Sequence, residues 1–296
     1  MGGALTRERA YLLLALLVVI WGANWPAMKA GLAYITPLWF ACARFWLGAL
    51  CLFVYLAATK QWTWPTRRDW PVIASVGLFQ MALFQPIVNI GLRQVPAGRA
   101  AVLVYTTPLW VVPGALLFLS ERIGALKWGG VAIGLSGIAV LFNPAALDWG
   151  DHQVVLGSAL LMTAALLWAI ALLHIRGHSW GGSLSPLQVT PWQLLFAALL
   201  VTPLAFLFEG QATPVWSWPL AALLAYNGPV ATAFAFVAAT SISRALPAVT
   251  SSLSFLGVPA MGILLSALSL GELPDASLLG GFGLILAGVL LVNLAD

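Results

Sequence analysis

The sequence predicts an all-α membrane protein of ten transmembrane helices, built as two inverted five-helix repeats with both termini in the cytoplasm. Two observations lead to this fold class. The first is composition: of 296 residues, 61% are hydrophobic and only 7% are charged, whereas soluble domains contain about 25% charged residues. The second is a repeated pattern of prolines and glycines that divides the chain into two halves.

Apolar tracts of membrane-spanning length occupy nearly the whole chain. A tract of about 20 apolar residues is long enough to cross a bilayer as a helix. The first tract is longer than the hydrophobic region of a cleaved signal peptide, so we expect it to remain as the first helix. The ten predicted helices cover residues 10–31, 37–58, 71–92, 98–118, 123–142, 154–174, 187–208, 218–240, 246–268 and 276–294.

Basic residues in the predicted loops give the orientation. Because cytoplasmic loops are enriched in lysine and arginine, the more basic side is assigned to the cytoplasm. The protein is therefore expected in the inner (plasma) membrane, as a multi-pass protein in contact with lipid. The scattered charges form no patch that would bind nucleic acid. The side that holds the termini has Arg7, Arg9, Lys60, Arg67, Arg68, Arg122, Lys127, Arg176 and Arg244, and the other side has Lys29, Arg93 and Arg99.

The repeat relates residues 96–137 to residues 247–288. Because each half would contain five helices, an odd number, the second half would be inserted upside down relative to the first. The predicted halves are residues 1–148 and 149–296. Inverted repeats recur in secondary transporters, where the substrate binds near the bilayer midplane between them. The matched pairs, all 151 positions apart, are Pro96 and Pro247, Pro108 and Pro259, Glu121 and Glu272, Gly129 and Gly280, Gly130 and Gly281, and Gly137 and Gly288.

Three motifs link the chain to a known family. They are WGANWPAMKAG at 21–31, the Pro37…Arg44-Phe45 segment, and the Pro-Ala…Pro…Glu…Gly-Gly series that ends each half. With these motifs the chain resembles the drug/metabolite transporter superfamily, EamA type, and most of all the YddG-type aromatic amino acid exporters. The resemblance implies export of amino acids, including aromatic ones, by alternating access through a cavity between the repeats. A carrier of another small metabolite or a drug-like solute remains an alternative.

One face of the first helix combines aromatic and polar side chains. Trp21, Asn24, Trp25 and Met28 are spaced so that they share a face. Neutral amides there and in the third helix would suit a zwitterionic substrate, because an amide both donates and accepts hydrogen bonds. Helix packing is the alternative explanation. The predicted substrate-binding residues are Trp21, Asn24, Trp25, Gln80, Met81, Phe84, Gln85, Tyr105, Trp168, Asn227, Ser251 and Phe255.

Prolines interrupt several predicted helices. A proline inside a helix removes one backbone hydrogen bond and can bend the helix. Transporters use such interruptions to expose backbone groups and to move. We therefore predict hinges at Pro26, Pro108, Pro229 and Pro259.

Arg44 is the one charge that falls clearly inside a predicted helix. It could bind a substrate carboxylate, extend toward the outer interface, or brace neighbouring carbonyl groups. The family resemblance favours bracing, because the Arg-Phe pair belongs to the general motif. Glu121 and Glu272 precede the fifth and tenth helices, where the helix dipole favours a carboxylate.

Other classes of protein find less support in the sequence. It has no HExxH, GxSxG or Walker motif and no acidic residue in the middle of a predicted helix, so we expect neither an enzyme nor a carboxylate proton relay. His174 and His178 lack a third ligand nearby, and neither a metal nor a cofactor is expected. Ten unlike helices do not readily form the ring of like groups that a channel would favour.

Gly130, Gly134 and Gly137 suit close helix contact, either within the chain or at a dimer seam. We expect a monomer.

Overall fold

Helices make up every regular element in the described part of the chain. The structure, a computed structural model, describes residues 7–119, 124–143, 148–177, 184–245 and 255–294. Glu121, His178 and Ser251, which the sequence singled out, lie outside these ranges.

Five helices of the described ranges fall in the predicted first half. Two of them are composite: the third changes its winding along its length, and the fourth is interrupted between two helical segments. The helices are α1 (Arg7–Gly31), α2 (Pro37–Ala58), α3 (Trp70–Ser75, Val76–Leu83 and Phe84–Gln94), α4 (Ala97–Val104 and Thr107–Leu119) and α5 (Ala125–Leu141).

The second half contributes five further helices to the described ranges. Its third helix, α8, is composite like α3. The helices are α6 (His152–Gly177), α7 (Pro186–Glu209), α8 (Trp218–Ala225, Tyr226–Phe234 and Ala235–Ala245), α9 (Gly257–Leu270) and α10 (Ala276–Leu294).

Eight helices of the described ranges are long and apolar enough to cross a membrane. Two further apolar helices, α5 and α9, are shorter than 18 residues. These findings support a membrane protein made of helices, as the composition predicts. The count of ten spans and the cytoplasmic position of the termini stay predictions. Part of the ninth predicted helix, residues 246–254, is not described.

The third helix of each predicted half contains a π-helical segment with a proline inside it or just after it. Residues Val76–Leu83 of α3 and Tyr226–Phe234 of α8 wind as π-helix, a conformation that often marks functional sites. Pro229 lies inside the second of these segments and Pro86 just after the first. Because proline cannot donate the usual helical hydrogen bond, a locally altered winding accommodates it. Pro86 therefore does not end its helix.

The other prolines differ in their place along a helix. Pro26 lies inside α1, which continues to Gly31. Pro108 and Pro259 are the second residue of the segment Thr107–Leu119 and the third residue of α9. The first turn of a helix tolerates proline, because its N–H groups have no partner within the helix. The two prolines fit the starts of helical segments for this reason, and a hinge role at all four positions stays a prediction.

Helices α5 and α10 pack backbone against backbone along a glycine seam. A Cβ atom added to Gly130 would lie 2.7 Å from the Gly288 carbonyl oxygen, and one added to Gly137 would lie 2.6 Å from that of Gly281. The residue numbers rise along one helix as they fall along the other, so the two helices are antiparallel. These glycines therefore serve internal packing; the oligomeric state is a separate question.

Carboxylates cap helices that are distant in sequence. Glu209, at the end of α7, accepts hydrogen bonds from the backbone N–H groups of Leu38 and Trp39 in α2 at 3.0 to 3.2 Å. Glu272 accepts one from Ala97 N, at the start of α4, at 2.6 Å. The prediction that Glu272 caps its own helix is wrong, because Asp275 accepts the hydrogen bond from Leu278 N at 2.6 Å.

Candidate functional site

A cavity of about 460 Å³ lies inside the helix bundle. Helices α1, α3 and α4 of the predicted first half contribute to its wall, as do α6, α7, α8 and the two residues before α9 in the predicted second half. It brings together nine of the twelve predicted substrate-binding residues. They are Trp21, Asn24, Trp25, Gln80, Phe84, Gln85, Tyr105, Trp168 and Phe255.

Five aromatic rings form a continuous arc along the cavity wall. Trp21 contacts Phe255 and Phe236, with ring centroids 5.6 and 6.0 Å apart. Trp168 continues the arc from Phe236, at 6.1 Å, to Phe84, at 4.8 Å. The tilted and edge-on ring geometries are those that aromatic pairs prefer. Residues from both halves thus share one apolar surface.

Trp21 is held in place by a polar contact as well. Its indole Nε1 donates a hydrogen bond to the Ala231 carbonyl oxygen in α8 at 3.2 Å. Ala231 lies in the π-helical segment, and Pro229 in the same segment cannot donate a backbone hydrogen bond. The altered winding of α8 therefore occurs where α8 meets the aromatic wall.

Neutral amides supply the polar part of the wall. Asn24 is only 6% exposed, and within the described residues its Oδ1 has no hydrogen-bond partner. A buried polar atom without a partner is unfavourable by about 1–3 kcal/mol, which suggests that a ligand or water satisfies it. Gln80, Gln85 and Gln193 also face the cavity.

No acidic or basic side chain lines the cavity within the ranges that the structure describes. The wall therefore offers hydrogen-bonding groups and aromatic faces, and the described groups include no acid–base pair or nucleophile with an adjacent base. A wall of this kind offers contacts to both the polar and the apolar groups of a small molecule.

Two predicted residues lie away from the cavity. Met81 is fully buried among apolar side chains of α2 and α7. Asn227 is also fully buried, and its Nδ2 donates to the Leu223 carbonyl oxygen at 3.2 Å. The face of α3 that lines the cavity is the one with Gln80 and Phe84. Gln85 also lines the cavity, although it lies one helical turn from Met81.

Of the further lining residues that the predicted set lacks, four carry a heteroatom in the side chain: Met28, Thr107, Gln193 and Thr240. A sequence signal exists for two of them. Met28 shares the helical face of Trp21 and Asn24, and Gln193 follows Pro186 by seven residues, as Arg44 follows Pro37. For Thr107 and Thr240 the signal is weaker: Thr107 follows Thr106 between Tyr105 and Pro108, and threonines are common in apolar helices.

Arg44 lies next to the cavity, behind Met28. It is 3% exposed, and its Nε donates to Thr232 Oγ1 in α8 at 2.8 Å. The hydroxyl of Thr232 in turn donates to the Asn227 carbonyl oxygen at 2.6 Å. Arg44 therefore points into the bundle, so extension toward the interface does not occur in this structure.

Comparison with known proteins is consistent with this architecture. The model of the EamA-like transporter family matches twice, at residues 8–143 and 155–294. The uncharacterized transporter YvbV of Bacillus subtilis is 30% identical over 98% of this chain and 93% of its own length. A protein of Streptantibioticus cattleyicolor named "Probable terminal-alkyne amino-acid exporter" is 28% identical over 97% of this chain and 94% of its own length. A solved crystal structure, at 21% identity, matches with a TM-score of 0.63 over 98% of both chains and supports the fold alone.

Proposed function

Since the chain belongs to the EamA-like transporter family, we propose that it is a secondary transporter that exports amino acids, including aromatic ones. The substrate binds in the central cavity and crosses the membrane by alternating access between two five-helix halves. One observation carries the proposal: among the residues that the structure describes, the cavity wall has no charged side chain and combines an aromatic arc with Asn24 Oδ1, which has no partner there. The name of the relative from Streptantibioticus cattleyicolor favours the same substrate class.

The chemistry of the wall fits an amino acid with an aromatic side chain. The rings of Trp21, Phe236 and Trp168 provide a surface on which an aromatic group packs at favourable angles. The amide oxygen of Asn24 accepts a hydrogen bond from an ammonium group. The absence of charge among the described lining residues suits a substrate whose own charges cancel.

The glycine seam supports an inverted relation between the halves. The repeat pairs Gly130 with Gly281 and Gly137 with Gly288. In the structure Gly130 contacts Gly288 while Gly137 contacts Gly281. Such reciprocal contacts are typical of a two-fold axis. Because α5 and α10 are antiparallel, this axis runs across the helices, as in an inverted repeat.

Polar contacts join helices at the end of the bundle where α1 ends. There Lys29 forms an ion pair with Glu272 at 3.2 Å and donates to the Val95 carbonyl oxygen. The cavity wall instead extends to Leu172 and Ile175, in the last turns of α6. With the predicted topology, these contacts lie at the outer end and the cavity lies nearer the cytoplasm, as one state of an alternating-access cycle would require.

The test is uptake of labelled tryptophan, phenylalanine, threonine and choline by liposomes that contain the purified protein. We expect saturable flux of the amino acids, with and without an imposed pH gradient, because the described wall holds no acidic or basic side chain. Liposomes without protein are the control.

Each other outcome changes a different part of the proposal. A flux that requires the gradient would reveal a proton path and replace facilitated transport by coupled transport. Flux of choline without amino acid flux would support a carrier of a different solute on the same fold.

A further inference from the structure

Two hydrogen-bond donors converge on the sulfur of Met28 at the cavity wall. Arg44 Nη1 and Gln85 Nε2 each lie 3.2 Å from Met28 Sδ. A thioether is a weak acceptor, so neither donor gains much from this contact. The sulfur occupies a position that a stronger acceptor, such as a carboxylate oxygen, would fill better.

The hydrogen-bond network fixes the direction of the Gln85 amide. Gln85 Nε2 also donates to Asn89 Oδ1 at 2.8 Å, and Asn89 Nδ2 donates to the Pro37 carbonyl oxygen at 2.9 Å. Because a carbonyl oxygen can only accept, Asn89 must turn its oxygen toward Gln85. Gln85 therefore presents N–H groups to both Asn89 and Met28.

The guanidinium of Arg44 lacks an anionic partner. Among the residues that the structure describes, no carboxylate forms an ion pair with it, and its Nε bonds to the neutral hydroxyl of Thr232. A charged group within a membrane span is unfavourable unless it is paired, and it marks a functional site more often than a structural one. Bracing through Thr232 satisfies Nε but leaves the charge itself unpaired.

We propose that Arg44 and Gln85 form a binding site for the substrate's carboxylate, which Met28 covers while the site is empty. The proposal rests on the proposed function and names how that function recognises its substrate. Methionine is flexible and unbranched, so Met28 can turn away as the carboxylate arrives. The carboxylate then accepts charge-assisted hydrogen bonds from Arg44 and a further bond from Gln85.

Asn24 completes a site for a zwitterion. It lies one helical turn before Met28 on α1, and residues so spaced have Cβ atoms about 5–6 Å apart. Its unpartnered Oδ1 can accept from the ammonium group while the carboxylate occupies the place of Met28 Sδ. The side chain of the substrate then extends along the aromatic arc toward Trp21 and Trp168.

The experiment measures binding of four related ligands to the full-length protein in lipid nanodiscs. L-Phenylalanine has both charged groups; L-phenylalaninamide and phenethylamine lack the carboxylate, and 3-phenylpropanoate lacks the ammonium group. We expect wild-type protein to bind phenylalanine roughly 10- to 100-fold more tightly than the two ligands without a carboxylate, as loss of charge-assisted hydrogen bonds predicts.

Two variants locate the effect. Arg44→Gln should remove most of the preference for phenylalanine over phenylalaninamide while affinity for phenylalaninamide changes little. Met28→Leu removes the sulfur that competes for both donors, so it should tighten phenylalanine binding by about threefold to tenfold. Met162→Leu is the matched control, because Met162 is a half-buried methionine of α6 outside the cavity lining, and it should leave all four affinities unchanged.

The outcomes separate this proposal from the proposed function. If wild-type protein binds phenylalanine and phenylalaninamide equally, the carboxylate site is refuted while amino acid transport stands. If Arg44→Gln weakens all four ligands by the same factor, Arg44 only braces α2 against α8. If no ligand binds and no amino acid is transported, both proposals fail. If Arg44→Gln does not fold, the ligand preference of the wild-type protein and the change in affinity of Met28→Leu still test the carboxylate site.

Discussion

The glycine seam between α5 and α10 and the central cavity are both built from the two predicted halves. They differ in whether the residues that form them are repeated. In the seam, repeated glycines meet reciprocally: Gly130 meets Gly288, and Gly137 meets Gly281. In the cavity, Asn24 and Trp25 of α1 have no counterpart in α6, where Trp168 is followed by Ala-Ile-Ala-Leu.

This difference has a physical reason. Close packing of two helix backbones depends on the shape of their surfaces. A surface that packs well in one half therefore packs equally well in its repeated counterpart. A substrate such as an amino acid has no two-fold symmetry, so the side chains that recognise it gain nothing from being repeated. Repeated residues therefore indicate the frame, and unrepeated polar residues indicate the binding surface.

The largest effect is expected from breaking the seam. Gly288→Ala would place a Cβ atom 2.5 Å from both the Gly130 carbonyl oxygen and the Gly134 backbone nitrogen. Backbone atoms of two packed helices cannot move aside easily, so we expect a destabilisation of about 1–3 kcal/mol. It would be measured as a lower melting temperature in detergent.

The matched control for the seam is Gly283→Ala on the same helix. An added Cβ atom there meets no other atom within 4 Å, so it should be neutral or stabilise the helix by up to about 1 kcal/mol. Equal melting temperatures for Gly288→Ala and wild type would show that α5 and α10 can move apart at the seam without loss of stability.

An intermediate effect is expected from removing the polar group of the cavity. Asn24→Ala takes away an oxygen that has no partner among the described residues. It should reduce transport efficiency by about tenfold or more if it bonds an ammonium group, while the melting temperature stays near that of wild type. Parallel uptake and melting measurements give both values.

Asn293→Ala is the control for this variant. Asn293 is a similarly buried amide of α10, and its Nδ2 donates within its own helix to the Val289 carbonyl oxygen at 2.8 Å. Transport should be unaffected by this change. If Asn24→Ala loses stability in step with transport, Asn24 is a packing residue and the cavity explanation is wrong.

The smallest effect is expected from the aromatic arc. Trp168→Ala removes ring contacts to Phe84 and Phe236, each worth about 0.5–1.5 kcal/mol. Uptake of tryptophan should fall by a few-fold to about tenfold, because the ligand loses the same kind of contact. Uptake of threonine should change less.

Two further variants sharpen this test. Trp168→Phe keeps a ring in the arc and should retain most of the tryptophan uptake. Trp218→Ala removes a tryptophan that is 88% exposed and should leave uptake of both amino acids unchanged. A loss of threonine and tryptophan uptake in equal proportion would indicate that Trp168 supports the fold of the cavity rather than contacting aromatic substrates.

The sequence by itself determined the helical membrane class and the family, because both depend on local properties. An apolar tract becomes a helix in lipid, where every backbone group must find a partner within its own segment. Proline and glycine spacings persist in both halves, so the repeat is visible without coordinates. The face of α1 with Trp21 and Asn24 also follows from helical periodicity alone.

Only the tertiary structure decided which polar groups meet. Gln80 rather than Met81 faces the cavity, because packing of α3 against α2 and α7 buries Met81. Glu272 caps α4 instead of its own helix, and Arg44 and Gln85 meet at Met28. These contacts join residues that are distant in the chain. Local sequence pattern carries no information about which distant residues come into contact, because these contacts form only when the helices pack.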